Sequence, residues 1–255
     1  MKRTITFGVC LLAFAIAAVA QSERTFAVPE FQRIQFDAVG RVEFTQGRLQ
    51  PVRVTGPERE LSQIEVKVVN GTLIIKEKEQ KNKGRGNNGL QFQISAPLLT
   101  GLSIDGVCTF KAKRVDVKGD FNLSVDGVAS VDIPQLLCRN FSGSIDGVAS
   151  NQLNIDAQQE AKLDIDGVTK GNIALKSDVL RLDIDGVDKT DYTFRGREAR
   201  VTCGGLGKNR LTVDCEMLHA RADGVSKMTL AGTADKVDFG TDGVSKFNTK
   251  DLNKF

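Results

Sequence analysis

Leu163–Asp164–Ile165–Asp166–Gly167–Val168 is followed nineteen residues later by Leu182–Asp183–Ile184–Asp185–Gly186–Val187. In both stretches apolar residues alternate with polar ones and then meet a glycine. Alternation of that kind is the pattern of a strand with one buried face. A glycine that recurs at its end marks a corner where the backbone needs positive φ or has no room for a Cβ.

Working outward, the same corner recurs at Gly106, Gly127, Gly147, Gly167, Gly186, Gly205, Gly224 and Gly243. Asp precedes seven of them, at 105, 126, 146, 166, 185, 223 and 242, and Gly204 replaces it in the sixth copy. The spacings fall from 21 to 19 residues. Leu102 with Ile104, and Leu123 with Val125, repeat the strand before the corner. Ile173 with Leu175, Tyr192 with Phe194, and Leu211 with Val213 form a second alternation after it. Strands this short cannot bury a face within one copy, but stacked copies can. The expected fold is all-β: a parallel right-handed β-solenoid of about eight 19–21-residue tiers. Pro134 is the one proline inside the repeats and should mark a loop or bulge.

Residues 21–98 are also β in pattern but do not repeat. Val66–Val69 and Thr72–Ile75 flank Asn70–Gly71, a type I′ hairpin signal. A short helix is expected after Pro57. The Lys-, Asn- and Gly-rich residues 76–89 suggest an exposed loop. Before this region, Met1–Lys2–Arg3, an apolar run and Ala18–Val19–Ala20 have the form of a secretory signal peptide cut before Gln21. The expected organisation is therefore a signal peptide at 1–20, an N-terminal β region at 21–98 and the solenoid at 99–255. Export to the periplasm or cell surface follows, with no transmembrane helix in the mature chain.

Several of these motifs resemble a known family. Phe31-x-x-Ile34, Val42-x-Phe44, Gln46–Gly47, Val69–Asn70–Gly71-x-Leu73 and Ala96–Pro97–Leu98 occur in the order of its N-terminal half. Ile104–Asp105–Gly106–Val107 resembles its glycine-rich repeats. The family is the putative auto-transporter adhesin, head GIN domain, a group of secreted Bacteroidetes proteins formerly classed as a domain of unknown function. The resemblance spans residues 24 to 250 and implies a β-solenoid at the cell envelope, with no catalytic residues to carry over. Asp-Gly-Val stands where the family often has Ser-Gly-Ser, which alters surface charge and not fold. The membrane barrel of a true auto-transporter is not expected in 255 residues.

The 255 residues carry a formal net charge of +3. Loss of Lys2 and Arg3 leaves 33 basic and 32 acidic side chains. A near-neutral chain lacks the basic footprint of nucleic-acid binding. One histidine, His219, excludes multi-histidine metal sites, and no tryptophan is present for sugar stacking.

Stacking turns each recurring residue into a column. The corner Asp column should repel itself unless turn N–H groups or cations offset it. Lys170, Lys189, Lys208, Lys227 and Lys246 form a second column, with Thr109, Ser130 and Ser150 in the first three copies, and are expected to pair with the Asp column. Asp164, Asp166, Asp183 and Asp185 place four carboxylates on two adjacent tiers and are the candidate Ca²⁺ ligands. Lys162 and Arg181 can neutralise the same patch, and the nine-residue calcium repeat is absent. No cofactor is therefore assigned. The same carboxylates are the only acid/base candidates, but they belong to a repeat and not to a singular place. Cys108, Cys138, Cys203 and Cys215 fall in columns too distant for bridging and are expected as buried thiols.

The leading function is a non-catalytic envelope or surface binding module. Its partner would be a surface protein or glycan, and homo-oligomers through the solenoid ends are a further option. A structural or accessory periplasmic protein ranks second, and a carbohydrate-active β-helix enzyme third.

Overall fold

The computed structural model describes residues 22–78, 89–223, 225–242 and 244–254. The expected signal peptide and most of the expected 76–89 loop lie outside the described residues. Lys76 and Glu77 belong to a strand, Thr72–Glu77.

The chain is a β-solenoid of about eight tiers preceded by N-terminal strands. Each tier runs through one strand before the corner and one after it, and equivalent strands pair in parallel. Leu163, Asp164 and Ile165 pair with Leu182, Asp183 and Ile184, which pair in turn with Val201, Thr202 and Cys203. After the corner, Val148 pairs with Val168, and Val168 with Val187. The alternation places Leu163, Ile165, Leu182 and Ile184 in one continuous core. Burying each such side chain contributes about 1.5–3 kcal/mol. Phe121 and Phe141 stack from adjacent tiers at 6.4 Å with rings 8° apart.

The corner glycines have one physical cause. A Cβ on Gly127, Gly147, Gly167, Gly186 or Gly205 would stand 2.0–2.1 Å from the carbonyl oxygen of the corner glycine one tier below. None of these five lies at positive φ. Lack of room, and not backbone handedness, selects glycine there. The close approach comes from the ladder itself. Asp146 N and Gly147 N both donate to Val125 O, at 2.9 and 3.0 Å, and Val148 N donates to Gly127 O at 2.9 Å.

The stack reaches one tier further towards the N-terminus than the glycine count. Arg33–Asp37 and Val39–Gln46 pair in parallel with Gly101–Ile104 and Val107–Ala112. Asp37–Ala38–Val39 is therefore a corner in the same column. Ala38 is buried and its carbonyl accepts from Val107 N at 3.0 Å. On its other side the flanking strands Thr72–Glu77 and Gln91–Ala96 belong to no tight corner, so the methyl fits. Antiparallel strands then close this end: Ile64–Val69 against Thr72–Glu77, and Ser22–Phe26 against Val52–Gly56.

Asn70 and Gly71 have φ of 49° and 71° at the expected hairpin. A four-residue helix, Glu58–Leu61, follows Pro57. The register shifts between Ile133 and Leu136, at Pro134, because proline has no N–H for the ladder. Among the described residues no helix is long and apolar enough to cross a membrane.

Candidate functional site

The corner column is arranged differently from the sequence expectation. Asp105, Asp126, Asp146, Asp166 and Asp185 are exposed, but their carboxylates accept none of the corner N–H groups, which are bonded to backbone carbonyls of the tier below. Only Asp146 among these five accepts a side-chain hydrogen bond, from Ser144 Oγ at 3.1 Å. Solvent, and the break at Gly204, relieve the like-charge column.

Immediately after the corner, Val107, Val128, Val148, Val168, Val187, Leu206, Val225 and Val244 point outward. Their exposure runs from 48% to 71%. Register pairing joins each of the first six to the next, so the residues from Val107 to Val225 form one apolar stripe along the rod. An exposed apolar ladder of this length is the kind of surface that marks an interaction site. Beside it lies a shallow open groove of about 570 Å³, from Asp146 to Val225. The acidic rim of the groove is broken where Gly204 replaces Asp.

On the other flank of the stripe stand Thr109, Ser130 and Ser150, then Lys170, Lys189, Lys208, Lys227 and Lys246. Pairing continues from Ser150 to Lys170, Lys170 to Lys189, Lys208 to Lys227 and Lys227 to Lys246. The lysines do not pair with the Asp column, because the valine ladder lies between them. None of the five takes part in an ion pair among the described residues.

Several basic groups elsewhere are matched. Lys162 binds Asp164 at 2.8 Å, Arg181 binds Glu160, and Arg197 binds Asp178 at 3.0 Å. Arg221 binds Asp238 at 2.7 Å. His219 continues the Lys162–Arg181–Arg200 column, between Glu198 at 3.7 Å and Asp238 at 3.3 Å. The Arg200 hydrogen bond holds the Glu198 carboxyl below its usual range, and the Arg221 hydrogen bond does the same for Asp238.

The four calcium candidates divide between two places. Asp164 and Asp183 stack on the strand before the corner, whereas Asp166 and Asp185 stand at the corner itself. Asp164 is already occupied by Lys162. Desolvation, followed by the neighbouring Asp164 and Asp185, raises the Asp183 carboxyl above its usual value. Among the described residues no three His, Cys, Asp or Glu side chains come together as a metal-ligating group.

One polar cluster escaped the sequence reading. Asp188 follows Val187 in the sequence but is only 1% exposed. It accepts from Thr169 Oγ1 and Thr190 Oγ1, each at 2.5 Å, and from Tyr192 OH at 2.7 Å. With its amide nitrogen turned towards this carboxylate, Asn209 donates to Asp188 Oδ2 at 3.2 Å and to its backbone O at 2.8 Å. Burial, and then the adjacent carboxylate, push the Tyr192 phenol well above its usual value. The column comparison could have found Asp188, since Ala129, Ala149 and Thr169 hold the same inward position. Asn151 stands at the edge of this polar region, fully buried, with neither amide atom bonded to a protein group.

Among the described residues Cys108, Cys138, Cys203 and Cys215 are buried free thiols. Burial raises Cys108 and Cys138 to about 12 and Cys215 to about 11. Thiols this reluctant to ionise are poor nucleophiles.

The chain belongs to the putative auto-transporter adhesin, head GIN domain family, whose model matches residues 30–254. Its fold is similar to a putative adhesin from Bacteroides fragilis NCTC 9343, with 19% identity and a TM-score of 0.65, covering 90% of this chain and 96% of that one. It is also similar to a putative lipid binding protein from Parabacteroides distasonis ATCC 8503, with 17% identity and a TM-score of 0.66, covering 89% and 96%. A putative adhesin from Parabacteroides merdae ATCC 43184 has 13% identity and a TM-score of 0.65, covering 89% and 95%. No match is found among curated proteins.

Proposed function

We propose that this member of the head GIN domain family is an exported, non-catalytic binding module that holds an elongated surface ligand along its corner edge. The observation that carries this reading is the exposed valine–leucine ladder from Val107 to Val244 with the groove beside it. An apolar ladder on water is a cost that a plain scaffold would have no reason to keep in every tier. The adhesin descriptions of the family and of two fold relatives agree with a surface role. The carboxylates at the edge recur tier after tier, which suits repeated contacts with a polymer better than a single acid/base pair.

The test is binding of the purified protein to immobilised alginate, dextran, collagen and fibronectin, by biolayer interferometry. The reading predicts saturable binding to at least one of them. It predicts loss of that binding in Val148→Asp/Val168→Asp/Val187→Asp with the fold retained. Unchanged affinity in the variant, no saturable binding to any probe, or cleavage of a polysaccharide probe would contradict it.

A further inference from the structure

We infer that the ligand of this edge is a linear acidic polysaccharide, one carrying a carboxylate on its sugar rings, laid along the rod axis over the later tiers. The inference rests on the corner edge being a binding face and names the ligand class for it. Three parallel columns carry it. The valine–leucine ladder in the middle offers an apolar track to the C–H faces of sugar rings. The corner carboxylates on one flank are hydrogen-bond acceptors without donors among the described residues at Asp105, Asp126, Asp166 and Asp185, as sugar hydroxyls require. The lysine ladder on the other flank presents five ammonium groups that no carboxylate among the described residues occupies.

What sets the ladder lysines apart is their recurrence at one position of successive tiers. Lys162, Lys176, Arg181, Arg197 and Arg221 all have carboxylate partners within the protein. Among the described residues, the ladder beside the apolar stripe repeats an unmatched positive charge from tier to tier. Successive tiers are about 4.8 Å apart, the spacing between neighbouring strands. A row of cations anchored at that pitch matches a polymer with regularly placed anions.

Other anionic partners fit less well. Single-stranded nucleic acid is held by exposed aromatic platforms. This face has none, since Tyr192 is buried and no tryptophan exists. An anionic membrane lying on the valine stripe would spread its headgroups over both flanks and so against the Asp column, whereas a single sugar chain can turn its carboxylates to the lysine side and its hydroxyls to the Asp side.

The experiment measures binding of the protein to alginate oligomers. Dextran, a single-stranded oligothymidylate and phosphatidylglycerol vesicles are measured in parallel. The comparison variant is Lys189→Ser/Lys208→Ser/Lys227→Ser, which installs the residue that Ser130 and Ser150 already supply in the earlier tiers. Thermal unfolding checks that it folds. We expect saturable alginate binding, weakened roughly tenfold or more by the triple substitution. In the unsubstituted protein the same binding should weaken markedly between low and high salt, because screening shortens the reach of exposed charges. No alginate binding, alginate binding indifferent to both the substitution and salt, or tighter binding to oligothymidylate or vesicles would overturn the inference. Saturable binding of dextran or a protein probe, lost in the valine variant and unchanged in the lysine variant, would overturn it and leave the edge a binding face. Failure of every probe would remove both.

Discussion

The first three glycine tiers and the later ones share a backbone but not an interior or a surface. In the early tiers Cys108, Ala129 and Ala149 face the core, followed two residues on by Phe110 and Val131, and the outward residues between them are Thr109, Ser130 and Ser150. In the later tiers the same inward positions hold Thr169 and Asp188, then Thr190 and Asn209, and the outward position is lysine. The change begins at Asn151. A repeated backbone with one apolar core thus carries apolar residues at the two inward positions after the corner in its early tiers, and polar ones there, with lysine between them, from Thr169 to Asn209. The ladder hydrogen bonds and corner packing fix the fold, which leaves the side-chain columns free to diverge.

The comparison can be broken most severely at Asp188. Asp188→Ala removes the acceptor shared by three hydroxyls and Asn209, and should cost about 3–5 kcal/mol in urea unfolding. Its counterpart Ala129→Asp, placed between Cys108 and Ala149 and beside Val131, should be comparably destabilising, because an unpaired carboxylate would be buried. A cost under about 1 kcal/mol for either would show that the two interiors are interchangeable.

Corner substitutions test what the halves share. Gly147→Ala and Gly186→Ala should each cost about 2–4 kcal/mol, since the new Cβ would strike a backbone oxygen that cannot swing aside. The two values should agree. Ala38→Gly should stay within about 1 kcal/mol, reflecting backbone entropy alone.

A smaller effect separates the acidic patch from its paired neighbours. The Asp183 carboxyl is raised by desolvation and by Asp164 and Asp185, so the folded state holds that proton more tightly than the unfolded chain. Its penalty is present when it is ionised and is relieved as pH falls through the raised value. Asp183→Asn should therefore raise the melting temperature at pH 7, with the gain shrinking towards pH 4. Glu198 and Asp238 have the opposite sign, since their carboxyls are held low by Arg200 and Arg221. Their contribution is present at neutral pH and fades on acidification. The smallest change is expected from Val168→Thr, within about 0.5 kcal/mol of stability. A larger loss would mean that the outer ladder is structural.

Much of this fold was legible in the residues. The corner spacing predicted the parallel register, Pro134 its shift, Asn70–Gly71 the hairpin and Cys203 its inward position. The tier at Ala38 was hidden because its corner lacks the glycine, and it lacks the glycine because no tight corner lies beneath it. The exposed valines were hidden for another reason. The corner interrupts strict alternation, so the apolar member of Asp-Gly-Val looks inward in sequence and points outward in space. Asp188 lies between Val187 and Lys189 and has the look of a surface residue. Only the column containing Ala129, Ala149 and Thr169 shows it to be buried.

The central claim is that the later tiers carry the binding face on a scaffold shared with the earlier ones. Hydrogen-exchange footprinting of the protein with and without alginate oligomers tests it most directly. The account predicts added protection along Val168–Lys170, Val187–Lys189, Leu206–Lys208 and Val225–Lys227, with Val107–Thr109 and Val128–Ser130 unchanged. Protection spread evenly over all tiers, or confined to the N-terminal strands, would contradict it.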